Sequence, residues 1–428
     1  MLQRVVTKII GIGLAVGLIL TPLSSQQPAK KVKDQGEYNI YNDVLKAKDD
    51  PNKQIQLLQK WKESYPDSDY KEDRAAMVAQ DYATLNKPTE AIKAAQDVLQ
   101  LNPKNLTALV TIVNSARNVA PPTPDSLSAG EQAANTLLSN LDTLKPPNVS
   151  DTDWNAAKAQ IAQIAQTTLG WVKMQQKQYD AAETSFRKVL QTNPKSAQAA
   201  YWLGTVLYAQ KKYAPALYEF ARAVSYTGEG ALPDAAKQAA DQYLKKAYVG
   251  YHGSEDGLDA LKKQAAGAAL PPDDLTIASV TDIAKGQQAA EDQFLKEHPD
   301  VKLWRELRDA LKADGGETYF TEHVKDALIP PQEGEFRQFK AKVVSMENPK
   351  EIVVTVDDTD GPNGDATLVF EAPIRGKLEP GAEISFSGAP LSYSKDPFNI
   401  KFSVDRKNVT GLPAAPGPVR RTPMRKKQ

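Results

Sequence analysis

From residue 36 to residue 331, apolar positions recur every three or four residues, which is the period of an amphipathic helix. Two stretches repeat one skeleton: LGWVKMQQKQYDAAETSF at 169–186 and LGTVLYAQKKYAPALYEF at 203–220. This pattern predicts two successive helix pairs with the same packing, in which small residues let helices approach and a large ring fills the space between them. The matched positions, all 34 residues apart, are Leu169/Leu203, Gly170/Gly204, Tyr179/Tyr213, Ala182/Ala216 and Phe186/Phe220.

A period of 34 residues is that of the tetratricopeptide repeat, and the stretch resembles this family. Leu-Gly stands in the first helix, Ala and Phe stand in the second, and Asn193-Pro194 closes the unit. The best units are 163–196 and 197–230, with weaker units before and after them. The resemblance implies an α-solenoid over residues 36–270, followed by a helical cap or linker over 271–331.

The period then changes to two. Alternating apolar and polar residues predict five short strands, and turn residues separate them. The predicted small β-barrel over residues 332–411 resembles the OB-fold in size and strand count. The fold class is therefore multi-domain α + β, an α-helical tetratricopeptide-repeat solenoid followed by a small all-β barrel. The predicted strands are 339–343, 351–356, 366–370, 382–386 and 398–404.

Both ends of the chain have distinct compositions. Arg4 and Lys8 precede an apolar run over residues 9–20, which indicates a secretory signal peptide over residues 1–25, followed by a linker over 26–35. An uncleaved N-terminal anchor is the alternative, although the run is shorter than the roughly 20 residues of a membrane span. We therefore expect export to the periplasm or cell envelope of a bacterium. The proline-rich, basic tail over 412–428 is predicted to be disordered.

The resemblance also implies where a ligand binds, because tetratricopeptide first helices line a concave groove for protein or peptide segments. The predicted groove residues are Trp171, Gln198, Tyr201, Thr205 and Tyr208, and Ile164, Thr167 and Met174 are equivalent positions in the earlier unit. The aromatic residues among them either anchor a partner or pack against neighbouring helices. The Lys and Asn residues that grip a C-terminal carboxylate in one branch of the family are missing, so extended or helical peptides fit better.

The amino-acid composition limits the kinds of binding and catalytic site that the chain can form. The charges of the 53 basic and 53 acidic residues sum to a formal net charge of +0. The absence of cysteine excludes disulfides and thiolate metal ligands. Histidine occurs only at His252, His298 and His323, without metal-site spacing, so we expect neither an enzyme nor a cofactor. In YHGSEDG, Ser254 is predicted to cap a helix rather than to act in catalysis.

Alternatives remain for the β region. The acidic loop at 357–365 is either a calcium site or a hairpin turn. An envelope enzyme or polysaccharide-related factor could have its site in this region, and an OB-like barrel raises nucleic-acid binding. Ten basic residues against eleven acidic residues over 336–410 argue against a nucleic-acid face. Five phenylalanines fall in the inward phase and are expected to fill the core: Phe339, Phe370, Phe386, Phe398 and Phe402. The favoured function is a non-enzymatic scaffold for protein–protein interactions.

Overall fold

The computed structural model describes residues 30–146, 149–333, 336–357 and 363–413. The predicted signal peptide, the basic tail from 414 onward and the centre of the acidic loop lie outside the described residues. The chain divides into two compact units, Met1–Val280 and Thr281–Gln428. Each unit has its own hydrophobic core.

The described part of the first unit contains twelve helices. Each helix from α1 to α10 packs against the next along the chain, and α12 packs against α10. First helices also contact the first helices of neighbouring pairs, as in α3 with α5, α5 with α7 and α7 with α9. These contacts confirm the predicted α-solenoid. The helices are α1 (Gln35–Lys46), α2 (Pro51–Ser64), α3 (Lys71–Thr84), α4 (Pro88–Leu101), α5 (Leu106–Ala116), α6 (Pro124–Asn140), α7 (Asp151–Gln175), α8 (Tyr179–Thr192), α9 (Ala197–Ala209), α10 (Tyr213–Ser225), α11 (Asp234–His252) and α12 (Leu258–Gly267).

The turn inside three helix pairs has the same backbone geometry. Asn86, Lys177 and Lys211 each lie between the two helices of a pair and have φ of 55°, 60° and 62°. A left-handed residue at this point reverses the chain within a few residues, so the two helices can pack antiparallel. The turn at Asn86 therefore marks α3 and α4 as a repeat whose sequence has diverged.

Glycine and phenylalanine set the packing within the two best repeats. Phe186 and Phe220 are completely buried. A Cβ atom on Gly170 would lie 2.8 Å from the Phe186 ring, and one on Gly204 would lie 2.8 Å from the Phe220 ring. Because real Cβ contacts are not this short, only glycine lets each ring reach the facing helix. This confirms the packing that the matched positions predicted.

The predicted cap at Ser254 is wrong. Helix α12 begins at Leu258, and Gly257 precedes it with a left-handed φ of 81°. The Ser254 hydroxyl instead donates to the Asp256 side chain and accepts from the Asp256 amide. The Tyr248 hydroxyl donates to the Asp256 carbonyl oxygen, which holds the intervening turn. The turn is therefore longer than a direct cap allows.

The second unit begins with helices α13 (Val280–Glu297), α14 (Pro299–Lys312) and α15 (Gly316–Tyr319), followed by a π-helical turn at Phe320–Val324. Seven strands then form one sheet in the order β5-β6-β3-β2-β1-β4-β7. Strands β3 and β6 are parallel, and the other pairs are antiparallel. The strands are β1 (Phe339–Asn348), β2 (Glu351–Thr355), β3 (Ala366–Phe370), β4 (Glu383–Phe386), β5 (Ala389–Lys395), β6 (Phe398–Val404) and β7 (Val409–Thr410).

The sheet corrects the prediction of a closed five-stranded barrel. All five predicted segments carry strands, but among the described residues the pairing does not return from β7 to β5, so the sheet is open. Gly388 lies between β4, which pairs with β1, and β5, which pairs with β6. A Cβ atom there would lie 2.8 Å from the Ser403 carbonyl oxygen, so glycine allows the chain to change partner at this point. The sequence of β5 does not alternate cleanly, which is why the pattern missed it.

Helix α14 packs on the sheet through a buried polar contact. Trp304 is completely buried, and its ring centroid lies 5.2 Å from that of Phe339. Its indole N–H donates to Asp365 Oδ2 at 2.8 Å, and the Val356 and Asp357 amides donate to the same carboxylate. Three donors compensate the loss of hydration of this carboxylate. The segment that was predicted as a cap or linker thus contributes its second helix to the β unit.

Asp81 on α3 carries a carboxyl group without such compensation. The residue is 6% exposed, and its Oδ2 has no hydrogen-bond partner among the described residues. Loss of hydration favours the neutral form and raises the pKa of Asp81 from 3.8 to about 7. The folded chain therefore binds a proton at this position that the unfolded chain releases at lower pH.

The glycine contact is tested by Gly204→Ala. We expect a loss of about 1–3 kcal/mol in the free energy of unfolding, because the added methyl group overpacks the Phe220 ring. Gly250→Ala on α11 is the matched control, since nothing lies within 4 Å of its added Cβ, and we expect a gain of about 0.5–1 kcal/mol. Urea denaturation measures both changes. Equal effects of the two substitutions would contradict the packing account.

The Asp81 carboxyl group predicts a pH dependence of stability. Its contribution is full below pH 3.8 and is lost as the pH rises to about 7, because over this interval the unfolded state has released the proton while the folded state still holds it. We expect Asp81→Asn to be more stable than the native chain at pH 8 and to lose this part of the pH dependence. Urea denaturation from pH 4 to 8 measures it, with the exposed Asp97→Asn as control. An unchanged pH profile would contradict the assignment.

Candidate functional site

Four predicted groove residues lie on one face of α9. Gln198, Tyr201, Thr205 and Tyr208 are spaced three or four residues apart, and each is half-buried. Ser196 caps the start of the helix, because its hydroxyl accepts a hydrogen bond from the Ala199 amide. Most other positions of the helix are buried core residues, so the predicted groove residues, together with Trp202 and Ala209, are the ones left at the surface.

The two α9 tyrosines rest on Phe220 of α10. Their ring centroids lie 5.6 Å (Tyr201) and 6.3 Å (Tyr208) from that of Phe220. The hydroxyl of Thr205 is used within the helix, because it donates to the Tyr201 carbonyl oxygen at 3.0 Å. The Gly204 contact therefore fixes the ring on which both tyrosines rest.

Three further tyrosines extend this surface. Tyr243 on α11 lies 5.1 Å from Phe220 and 6.3 Å from Tyr208, measured between ring centroids. Tyr213 lies 5.2 Å from Tyr208 and also 5.2 Å from Tyr251. Tyr243 is 41% exposed and the others are half-buried. We call this set the tyrosine patch: Tyr201, Tyr208, Tyr213, Tyr243 and Tyr251.

The sequence prediction missed Tyr243 and Tyr251. The unit after residue 230 lacks the Leu-Gly pair, so the family's groove positions could not be transferred to α11. A usable signal was present, because the two tyrosines are eight residues apart and therefore lie on one helix face.

The Tyr243 hydroxyl stays protonated at neutral pH, because its pKa lies above the ordinary value for tyrosine. Burial raises the pKa of Tyr243, and the nearby Tyr208 and Tyr201 raise it further. No hydrogen bond from the side chains of Tyr201, Tyr208 or Tyr243 is formed within the described ranges of the chain. These phenols are therefore available as donors to a bound molecule.

Trp171 is placed differently from the α9 residues. It is 7% exposed and belongs to the core formed by α7 to α12. Ile164, Thr167 and Met174 on the same helix are half-buried, and the Thr167 hydroxyl donates to the Gln163 carbonyl oxygen. The structure thus assembles the α9 residues with tyrosines of α10 and α11, whereas Trp171 packs inside the unit.

The other candidate chemical groups have structural partners. His252 Nδ1 lies 2.9 Å from the Ala278 carbonyl oxygen, and the His298 ring stacks on Phe294. Where residues are described, no group of three or more His, Asp or Glu side chains is arranged to hold a metal ion. Of the acidic loop, Asp357 accepts from Arg305 and Arg308, and Asp365 accepts from Trp304. The remaining acids of this loop lie outside the described residues.

The β core contains the aromatic residues that the sequence predicted for it. All five phenylalanines expected in the β core are buried, with at most 6% exposed, which confirms that expectation. No helix in the described ranges is both long and apolar enough to cross a bilayer.

Comparisons with known proteins identify the repeat. Residues 167–236 match the family model for the tetratricopeptide repeat. The comparison with curated proteins gives no match. Similar solved structures are PilF of Pseudomonas aeruginosa (19% identity, 54% of this chain and 92% of the other, TM-score 0.33), MamA of Desulfovibrio magneticus (12%, 50% and 98%, 0.34) and a tetratricopeptide-repeat protein of Thermus thermophilus (15%, 50% and 99%, 0.30).

These structural likenesses are too distant to carry an inference, so the identification rests on the family model and on the packing of the repeats. The matched region contains α8, α9 and α10 and the glycine contact at Gly204. Residues 167–236 are therefore a tetratricopeptide-repeat segment.

Proposed function

We propose that the chain is a non-enzymatic scaffold that binds segments of other proteins on the face formed by α7, α9 and α11. The observation that carries this proposal is the row of partly exposed tyrosines above a completely buried Phe220 ring. Tyrosine is enriched at binding hot spots because it combines a large apolar ring with a polar end. Tyr201, Tyr208 and Tyr243 are the proposed anchors.

The packing beneath the patch favours binding. Tyr201, Tyr208 and Tyr243 all contact one ring, which is itself held against Gly204. Side chains that are already ordered lose little conformational entropy when a partner binds. The stacked repeats thus present a preorganised surface. A single helix pair could not form it, because its tyrosines come from two successive pairs.

The role of the β unit also stays a proposal. An OB-like character is supported by the five predicted strands and by the change of partner at Gly388, since an OB-fold is a partly open barrel. Nucleic-acid binding and an enzyme site in this unit find no specific support. The five phenylalanines that could stack on bases are buried in the core instead.

Export to the bacterial envelope is part of the proposal. It is supported by the basic residues Arg4 and Lys8 ahead of the apolar run. The partners would then be envelope proteins.

Site-specific photo-crosslinking tests the scaffold. A benzophenone amino acid in place of Tyr243 retains an aromatic ring at the exposed edge of the patch. We expect it to form a specific adduct with a partner protein in cells. The control places the same group at Lys188, which is exposed on α8. Adducts from position 188 alone, or the same adducts from both positions, would contradict the proposal.

Cell fractionation tests export. We expect the full chain to be recovered with the envelope or periplasm, and a variant that begins at residue 26 to remain in the cytoplasm, because the positively charged and apolar segment directs secretion. An N-terminal mass measurement distinguishes cleavage from anchoring. Equal distribution of both variants would contradict export.

A further inference from the structure

Two of the three helices of the proposed binding face, α9 and the middle of α7, carry no charged residue. Helix α9 contains no charged residue over Ala197–Ala209, and α7 contains none between Lys158 and Lys173. On α11, Lys246 lies one turn from Tyr243 and is exposed. A charged side chain that a partner placed over α9 or the middle of α7 would lose hydration without meeting an opposite charge. The partner surface that is complementary to these two helices is therefore uncharged.

The hydroxyl groups of the patch tyrosines favour one backbone conformation of the partner segment over another. Those of Tyr201, Tyr208 and Tyr243 form no hydrogen bond within the described parts of the protein, so a partner has to offer acceptors or leave them to water. An α-helical partner uses its backbone carbonyls internally, except in its last turn. A polyproline II segment has no internal hydrogen bonds, so all its carbonyl oxygens are free. The donors on the patch match the second kind of backbone.

Ring spacing is consistent with that backbone. The rings of Tyr213, Tyr208 and Tyr243 follow one another at 5.2 and 6.3 Å between centroids. A polyproline II helix repeats about every 9 Å, since it has three residues per turn and rises about 3.1 Å per residue. The Tyr213 and Tyr243 centroids lie at most the sum of these two distances apart, and one turn of such a helix fits within that limit, so prolines one turn apart can contact these two rings. Proline rings also match flat aromatic surfaces in recognition grooves.

We propose that the tyrosine patch binds an uncharged, proline-rich segment in the polyproline II conformation. This inference rests on the proposed function, because it names the chemical class of the partner for the same face. Affinity comes from proline rings against tyrosine rings, and orientation comes from phenol hydroxyls that donate to carbonyl oxygens of the segment. The segment pays little conformational entropy, since proline already restricts its backbone.

Isothermal titration of the full chain tests this inference. The probe is a capped peptide of Ala-Pro-Pro repeats, and the matched probes are an Ala-Gly-Ser peptide of equal length and an uncharged amphipathic helical peptide. We expect the proline-rich probe alone to bind with saturation. Tyr243→Ala should weaken that binding about tenfold, which is the size of a moderate hot spot. Tyr38→Ala is the control, because Tyr38 is 48% exposed on α1 and lies outside the patch.

A second variant separates contact from folding. Tyr243→Phe keeps the ring and removes the donor, so we expect a smaller loss of affinity and an unchanged denaturation curve. Absence of binding by the proline-rich probe overturns the inference, as does preferential binding of the helical probe. A specific adduct from position 243 without proline-peptide binding would leave the scaffold standing and refute only the partner class. Equal effects of Tyr243→Ala and Tyr38→Ala would also refute it.

Discussion

The contact between Gly204 and the Phe220 ring is the constraint on which the binding surface depends. Because glycine has no side chain, the ring reaches the α9 backbone and becomes completely buried. Tyr201, Tyr208 and Tyr243 then pack on that ring from α9 and α11. A single contact inside one repeat, between Gly204 and Phe220, thus positions tyrosines from α9 and α11, the first helices of two successive pairs. The equivalent contact between Gly170 and Phe186 explains why the sequence pattern of residues 203–220 also occurs at 169–186.

The β unit is organised around a different kind of contact. Asp365 accepts from the Trp304 indole and from two backbone amides, so a buried carboxylate joins α14 to the turn after β2. Arg305 and Arg308 converge on Asp357 beside it, and this pairing raises the pKa of Arg305. The acidic loop at 357–365 is compatible with a calcium site by composition. Asp357 and Asp365, at its two ends, instead have structural partners. The unit is a sheet with a helix packed on it through the contact between Trp304 and Asp365.

Much of this architecture could be predicted from sequence, because its causes are local. The offset of 34 residues located the Gly204 and Phe220 contact, and the alternating pattern located five of the seven strands. The prediction of a cap at Ser254 was wrong. A short polar residue before a helix is a common cap, but here a turn that ends at Gly257 separates Ser254 from the start of α12. Tyr243 was missed for another reason. Its contact with Phe220 joins residues whose spacing follows no repeat signature, so only the packed structure brings them together.

The central claim is that the tyrosine patch is the surface where partners bind. Fluorine NMR of the full chain with fluorotyrosine incorporated tests it most directly, with signals assigned by single Tyr→Phe substitutions. On addition of the partner captured from position 243, the account predicts that the signals of Tyr201, Tyr208 and Tyr243 shift together while those of Tyr38 and Tyr393 stay unchanged. Binding that shifts Tyr393 or Tyr38 and leaves the three patch tyrosines unchanged would contradict it.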